Sequence, residues 1–319
     1  VTFGLVAAGW MTGVDEAREG LTAVSSRRLA VQFGGAAGTL ASLGDRGRQV
    51  AALLASELDL ALPVLPWHTD RLRIIDLGAA LARTTAALGK IARDVTLLAQ
   101  SEVGEVSEGA ATPNRPGAQG TGASPASAPR RGGSSAMPNK HNPVASIAIL
   151  GCTRQAAGLL ATLVAAGEQE HQRAAGAWHA EWEPLTALLR LTGSASSWAA
   201  ELLSRLTVDT SRMAANLAAT KGLPLAENLT SLLAGVMGAA QAHELVAEAG
   251  DRAVSAGLPL RDVLLSVPKL EDRLVSAGIT AEQIDAALEP VGYLGAADAF
   301  TAAALDAHET LNLLQAQHG

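Results

Sequence analysis

Apolar residues between Thr69 and Gln100 recur at Ile74, Leu77, Leu81, Leu88, Ile91, Val95 and Leu98, with Thr84 filling the one gap. The steps alternate between three and four residues. Successive side chains therefore fall on one narrow stripe, which predicts a long α-helix with an apolar seam. Seams of this heptad kind pack in bundles and coiled coils. Further helical patterns run from about 143 to 167, from about 178 to 206 and from about 228 to 250. Strand patterns are scarce, and only 29–40, with its glycines, leaves room for a short hairpin. The chain reads as all-α.

Punctuation divides this pattern in two places. The stretch 109–129 is rich in Gly, Ala, Pro and Ser, carries one charge at Arg115 and has no apolar residue larger than Ala. Such a segment cannot bury enough surface to order itself, so it reads as a flexible insertion. After about Thr220, Gly222, Pro224, Gly257, Pro259, Pro268, Gly278 and Pro290 break the chain into short helices. The expected organisation is a central long-helix domain over 1–220 and a smaller helical domain over 221–319.

Composition narrows the function. Of the 319 residues 48% are hydrophobic but only 3% aromatic, so the core is built from Ala, Leu, Val and Ile, which suits close-packed helices. A formal charge of −7, with the basic residues scattered, gives no groove for nucleic acid. Cys152 is the only cysteine, which excludes an intrachain disulfide and a Cys-rich metal site. His171 and His179 do not have the spacing of a helical metal pair, so no metal is expected. No uninterrupted apolar run reaches the length of a membrane span, and the N-terminus lacks a signal-peptide pattern. The expectation is a cytoplasmic protein with no membrane partner. The chain starts at Val1 without Met, inside a helix-like segment, and reads as a fragment.

Candidate chemistry concentrates in Gly132-Gly133-Ser134-Ser135-Ala136-Met137-Pro138-Asn139-Lys140-His141-Asn142-Pro143. The glycines let backbone approach a ligand closely. Ser134 and Ser135 supply hydroxyls, Lys140 a point charge, and Asn142 both a donor and an acceptor. Pro143 suits a first helical turn with Asn142 as its cap, and a helix N-terminus there would seat a carboxylate.

From Gly133 through Asn142 these residues follow the pattern Gly-Ser-Ser-x-Met-Pro-x-Lys-x-Asn, which resembles the signature of the fumarase/aspartase superfamily. The resemblance implies a long-helix bundle with a smaller helical C-terminal domain, no cofactor, and homotetramers whose active sites are each assembled from three subunits. Thr2-Phe3-Gly4 is similar to the segment after the family's second motif, which places that motif and its His or Thr upstream of Val1. By the same resemblance Ser134 exchanges a proton at a carbon next to a carboxylate, beside Ser135, while Lys140 and Asn142 bind carboxylate. Arg71, in His68-Thr69-Asp70-Arg71, resembles the Arg that reaches substrate in argininosuccinate lyases.

Three features point to one branch. Thirteen residues after the loop serine, where most members carry an acid, this chain has Ile147. The stretch from Glu170 to Trp182, which includes His171, Arg173, Trp178 and His179, resembles that of 3-carboxy-cis,cis-muconate lactonizing enzymes. Tyr293-Leu294-Gly295 is similar to a C-terminal element of the same branch. This likeness implies a cycloisomerase of protocatechuate catabolism in the β-ketoadipate pathway, acting on a small tricarboxylate that Arg173 and His179 help to bind. Trp178 and Trp182, one helical turn apart, are expected to pack. A fumarate-releasing lyase such as adenylosuccinate lyase, and a non-catalytic bundle protein, remain as alternatives.

Overall fold

A computed structural model of the chain describes residues 1–109, 132–133, 137 and 142–316. The insertion expected over 109–129 lies outside the described residues beyond Gly109, as do Ser134, Ser135 and Lys140. Of the described residues 74% are helical and almost none are in strands, as the apolar periodicity predicts.

One compact unit comprises 8–208 together with 306–319. It contains most of α1 (Phe3–Arg28), then α2 (Gly47–Glu57), α3 (Leu72–Leu98), α4 (Val144–Ala165) and α5 (Ala177–Arg205). The last three match the expected helices at 69–100, 143–167 and 178–206 to within a few residues. Within α3 the seam residues Leu81, Thr84, Leu88, Ile91 and Val95 are buried, and so are Gly78, Ala80, Thr85, Gly89 and Ala92. The buried face is thus wider than a seam, because α3 packs on both α4 and α5. Thr84 is tolerated in it because its hydroxyl donates to the Ala80 carbonyl at 2.9 Å. A Cβ on Gly78 would lie 2.6 Å from Leu163 Cδ1, so the two helices approach closely there. The middle of the heptad stripe, from Leu81 to Val95, is thus buried within its own chain.

A strand pair missed by the periodicity also lies in this unit. β1 (Val106–Glu108) runs antiparallel to β2 (Leu206–Val208), with Val106 opposite Val208. At three residues each, they are too short to show an alternating pattern. The hairpin allowed at 29–40 does not form. Ala30 makes a single parallel bridge to Ala61, and the following residues are irregular.

The other unit comprises 1–7 and 209–305. Short helices α6 (Thr210–Ala219), α7 (Ala226–Met237), α8 (Ala239–Ala256), α9 (Leu260–Ser266), α10 (Pro268–Ser276) and α11 (Ala281–Ala287) lead into α12 (Ala297–Ala316). Leu229, Leu233, Leu245, Leu260, Leu264, Leu270, Leu274 and Ile284 form its core. The single helix expected over 228–250 is broken at Gly238, whose φ of 85° and ψ of 151° belong to neither helix, dividing α7 from α8.

Candidate active site

Three segments converge at the end of the bundle where α4 finishes and α3 begins. Trp67 donates its ring N–H to the Val31 carbonyl at 2.9 Å and its backbone N–H to Gln32 at 2.8 Å. Thr69 donates to the His171 carbonyl at 3.0 Å, docking the 67–71 segment on the turn between α4 and α5. Arg173 donates to the carbonyls of Gln172 and Gly35. Tryptophan and threonine side chains thus tether irregular backbone that has no helix of its own to satisfy it.

At the centre of this corner Arg71 stands at the N-cap position of α3, without a side-chain cap bond, and is buried. Its Nε donates to Oε1 of Glu181 at 2.8 Å and its Nη2 to Oε2 at 2.6 Å, while Nη1 donates to the His68 carbonyl at 3.2 Å. The Trp67 ring lies 5.0 Å from the guanidinium carbon, adding a cation–π contact. Glu181 is likewise buried, and Gln169 donates to it at 3.4 Å. The fork expected to reach substrate is therefore occupied by a carboxylate of the same chain.

Around this pair lie the groups that remain open. His68 meets Trp178 edge to face at 5.0 Å, Trp178 meets Trp182 at 5.2 Å, and His179 stacks obliquely on Trp182 at 4.8 Å. The two tryptophans pack on each other, as their spacing predicts. Arg173 and His179 are exposed, and among the described residues Arg173 has no carboxylate partner. Burial holds the His68 imidazole below its ordinary pKa, aided by the charges of Arg173 and Arg71 and opposed by Glu181. The corner thus presents a cation, two imidazoles and two indoles, a surface able to bind an unsaturated polyanion. No group of three or more potential metal ligands occurs among the described residues.

Asn142 lies elsewhere. Its backbone N–H and its side-chain Nδ2 both donate to the Gly132 carbonyl, at 2.8 and 3.1 Å. Gly132 has φ of 82°, and a Cβ there would lie 2.1 Å from the Asn142 carbonyl oxygen, so only glycine closes this contact. Asn142 is not the helix cap. Pro143 takes that position, without a side-chain cap bond, and the first N–H groups of α4 are met by Glu108. Its Oε2 accepts from Ala145 N at 2.9 Å, and its Oε1 accepts from Ser146 N and Ser146 Oγ, both at 2.8 Å. The carboxylate seat expected at this helix N-terminus is filled by the protein's own glutamate. Glu181 falls inside the 170–182 stretch without being singled out, and Glu108 lies outside every motif, because a lone Glu has no distinguishing spacing.

The structure therefore brings Arg71, Arg173 and His179 together but leaves Asn142 apart from them. With 22 residues, α4 separates the two places by about 30 Å. Ile147, on the first turn of α4, is half exposed and puts an alkyl side chain where most family members are expected to carry an acid.

Comparison with known proteins agrees with this architecture. A family model described as lyase matches residues 1–158. The chain is 44% identical to a 3-carboxy-cis,cis-muconate cycloisomerase of Bradyrhizobium diazoefficiens over 96% of its own length, and spans 63% of that protein. It is 42% identical to a nitrosuccinate lyase of Streptomyces davaonensis over 93% of its length, spanning 59% of that relative. The crystal structure of the 3-carboxy-cis,cis-muconate lactonizing enzyme from Pseudomonas putida superposes with a TM-score of 0.82 at 37% identity, covering 98% of this chain and 64% of that one. By signature, fold and relatives, the chain belongs to the fumarase/aspartase superfamily of lyases.

Proposed function

We propose that the protein containing this chain is a 3-carboxy-cis,cis-muconate cycloisomerase, closing a lactone in protocatechuate catabolism. The observation that carries this reading is the extent of the likeness, 44% identity across 96% of the chain to an enzyme of that name. The reaction is an isomerisation. One carboxylate of the substrate adds across a conjugated C=C bond, the neighbouring carbon gains a proton, and no group leaves.

The chemistry asks the protein to neutralise three carboxylates, to stabilise aci-carboxylate character beside the protonated carbon, and to deliver one proton. In this reading Lys140 and Asn142 bind carboxylate, Ser134 with Ser135 handles the proton, and Arg173 and His179 hold the far end of the substrate. Arg71 acts through Glu181 by fixing the wall on which His179 stands.

Because Asn142 and Arg173 are about 30 Å apart in one chain, a substrate-sized site needs both from different copies. A homotetramer with shared sites supplies them. The face of α4 supports such an assembly. Its most apolar window has a mean hydropathy of 1.5, enough by length and composition for a membrane span, yet only 22% of it is buried within the chain. Arg154 and Gln155 interrupt the apolar surface, and a bundle of several copies covers it without lipid. A cytoplasmic location is part of the same proposal.

The 42% identity to a nitrosuccinate lyase supports a second reading, elimination of nitrite from a dicarboxylate. Parallel assays on the complete protein separate the readings. The cycloisomerase consumes 3-carboxymuconate by ultraviolet absorbance and releases neither nitrite from nitrosuccinate nor fumarate from succinyl adducts. Nitrite release without lactone formation would establish the other reading.

A further inference from the structure

We propose that Glu108 is a positioning residue for Asn142, acting as a carboxylate clasp that fixes the start of α4 to the end of β1. This deepens the proposed function, but its structural arm is measured without substrate.

Glu108 ends β1, which is held in register by β2, and Gly109 N extends the pairing by donating to the Arg205 carbonyl at 3.0 Å. Thirty-seven residues later in the chain, the same Glu108 carboxylate receives Ala145 N, and Ser146 N and Oγ lie on its other oxygen. One side chain thereby joins the two ends of the intervening segment. It also satisfies donors that a helix start otherwise leaves unpaired, and its charge faces the positive end of the helix dipole. Asn142 stands three residues before Ala145 and clamps Gly132. The clasp and the clamp lie in series, so the place of Asn142 depends on where α4 begins.

Two consequences follow for the chemistry. A substrate carboxylate cannot use the α4 N-terminus, because Glu108 already fills it. Second, misplacing a reacting group by about an ångström costs on the order of a hundredfold in rate, so loss of the clasp lowers kcat more than it raises KM. A small cavity of about 20 Å³, lined by Glu108, Gly109, Ala145, Glu201, Leu202 and Arg205, adjoins the carboxylate. Removal of the side chain would enlarge it enough to admit a one-carbon acid.

The test uses Glu108→Ala and the size-matched Glu108→Gln in the complete protein, with formate and formamide as probes. Exchange of the Ala145 and Ser146 amides should accelerate roughly tenfold in Glu108→Ala. Formate should restore their protection, and uncharged formamide of similar size should not. With 3-carboxymuconate, kcat should fall about a hundredfold with a smaller rise in KM, and formate should recover much of the loss. Glu108→Gln should fold normally and show the same defect in smaller measure. Unchanged amide exchange in both variants, or equal rescue by formamide, would overturn the clasp. A wild-type protein that leaves 3-carboxymuconate untouched would sink the substrate assignment and leave the exchange measurement standing.

Discussion

Arg71 and Glu181 form a bidentate ion pair, at 2.8 and 2.6 Å, with both side chains buried at the base of the corner that carries Arg173 and His179. Such a pair gains little over an apolar substitute, but removing one partner strands a buried charge. Glu181→Ala or Arg71→Ala should therefore cost about 3–5 kcal/mol in urea unfolding, and the double change Arg71→Met with Glu181→Leu should cost much less. Additive losses in the double variant would show that the two groups do not act as a pair.

His68 reports the electrostatics of the same corner. Burial, Arg173 and Arg71 lower its pKa, so below pH 6.5 the unfolded chain binds protons that the folded one does not. The stability it contributes is complete above about pH 6.5 and is lost as pH falls through the lowered folded value. In NMR titration, Arg173→Ala should move the His68 midpoint upward, since it removes the larger of the two opposing charges. A downward movement would mean that Arg173 does not face His68 in solution.

Ser134 should separate chemistry from folding. In the complete protein, Ser134→Ala should lower turnover of 3-carboxymuconate by about a hundredfold to ten-thousandfold with unchanged assembly, and Ser135→Ala much less. Lys140→Ala should weaken binding as well as turnover, because it removes a carboxylate partner in ground and transition states alike. Near-normal turnover in Ser134→Ala beside an inactive Ser135→Ala would reverse the assignment within the loop.

The exposed face of α4 predicts where copies meet. A Cβ at Gly151 or Gly158 encounters nothing within 4 Å in the single chain, so folding alone tolerates a large residue at either position. If the proposed tetramer forms through this face, Gly158→Trp should leave helicity intact while shifting sedimentation to smaller species. A tetramer unchanged by this substitution would place the interface on another face.

The long helices were legible in the sequence because each buries one stripe, and the heptad at 74–98 marked α3 almost to its ends. What the stripe meets was not legible. Ala80, Gly89 and Ala92 are buried as well, and small residues give no periodic signal, so the seam could be taken for an intermolecular one. Arg71 was found by motif, but its partner Glu181 lies 110 residues away and only the fold brings them together. The same holds for Glu108 and Ser146. Local chemistry singled out Asn142 and then misassigned its backbone role, because the capping propensity of Asn did not reveal that a distant carboxylate was available to serve α4 instead.

In the proposed assembly, a working site joins the signature loop of one copy to the Arg173 corner of another. Lys140→Ala and Arg173→Ala proteins, each prepared complete and each inactive alone, can be mixed under conditions that exchange subunits. Turnover of 3-carboxymuconate should recover to on the order of a quarter of the wild-type rate, since mixed assemblies contain sites with both native residues. Absence of recovery, with mixed assemblies verified by native mass spectrometry, would contradict that assembly.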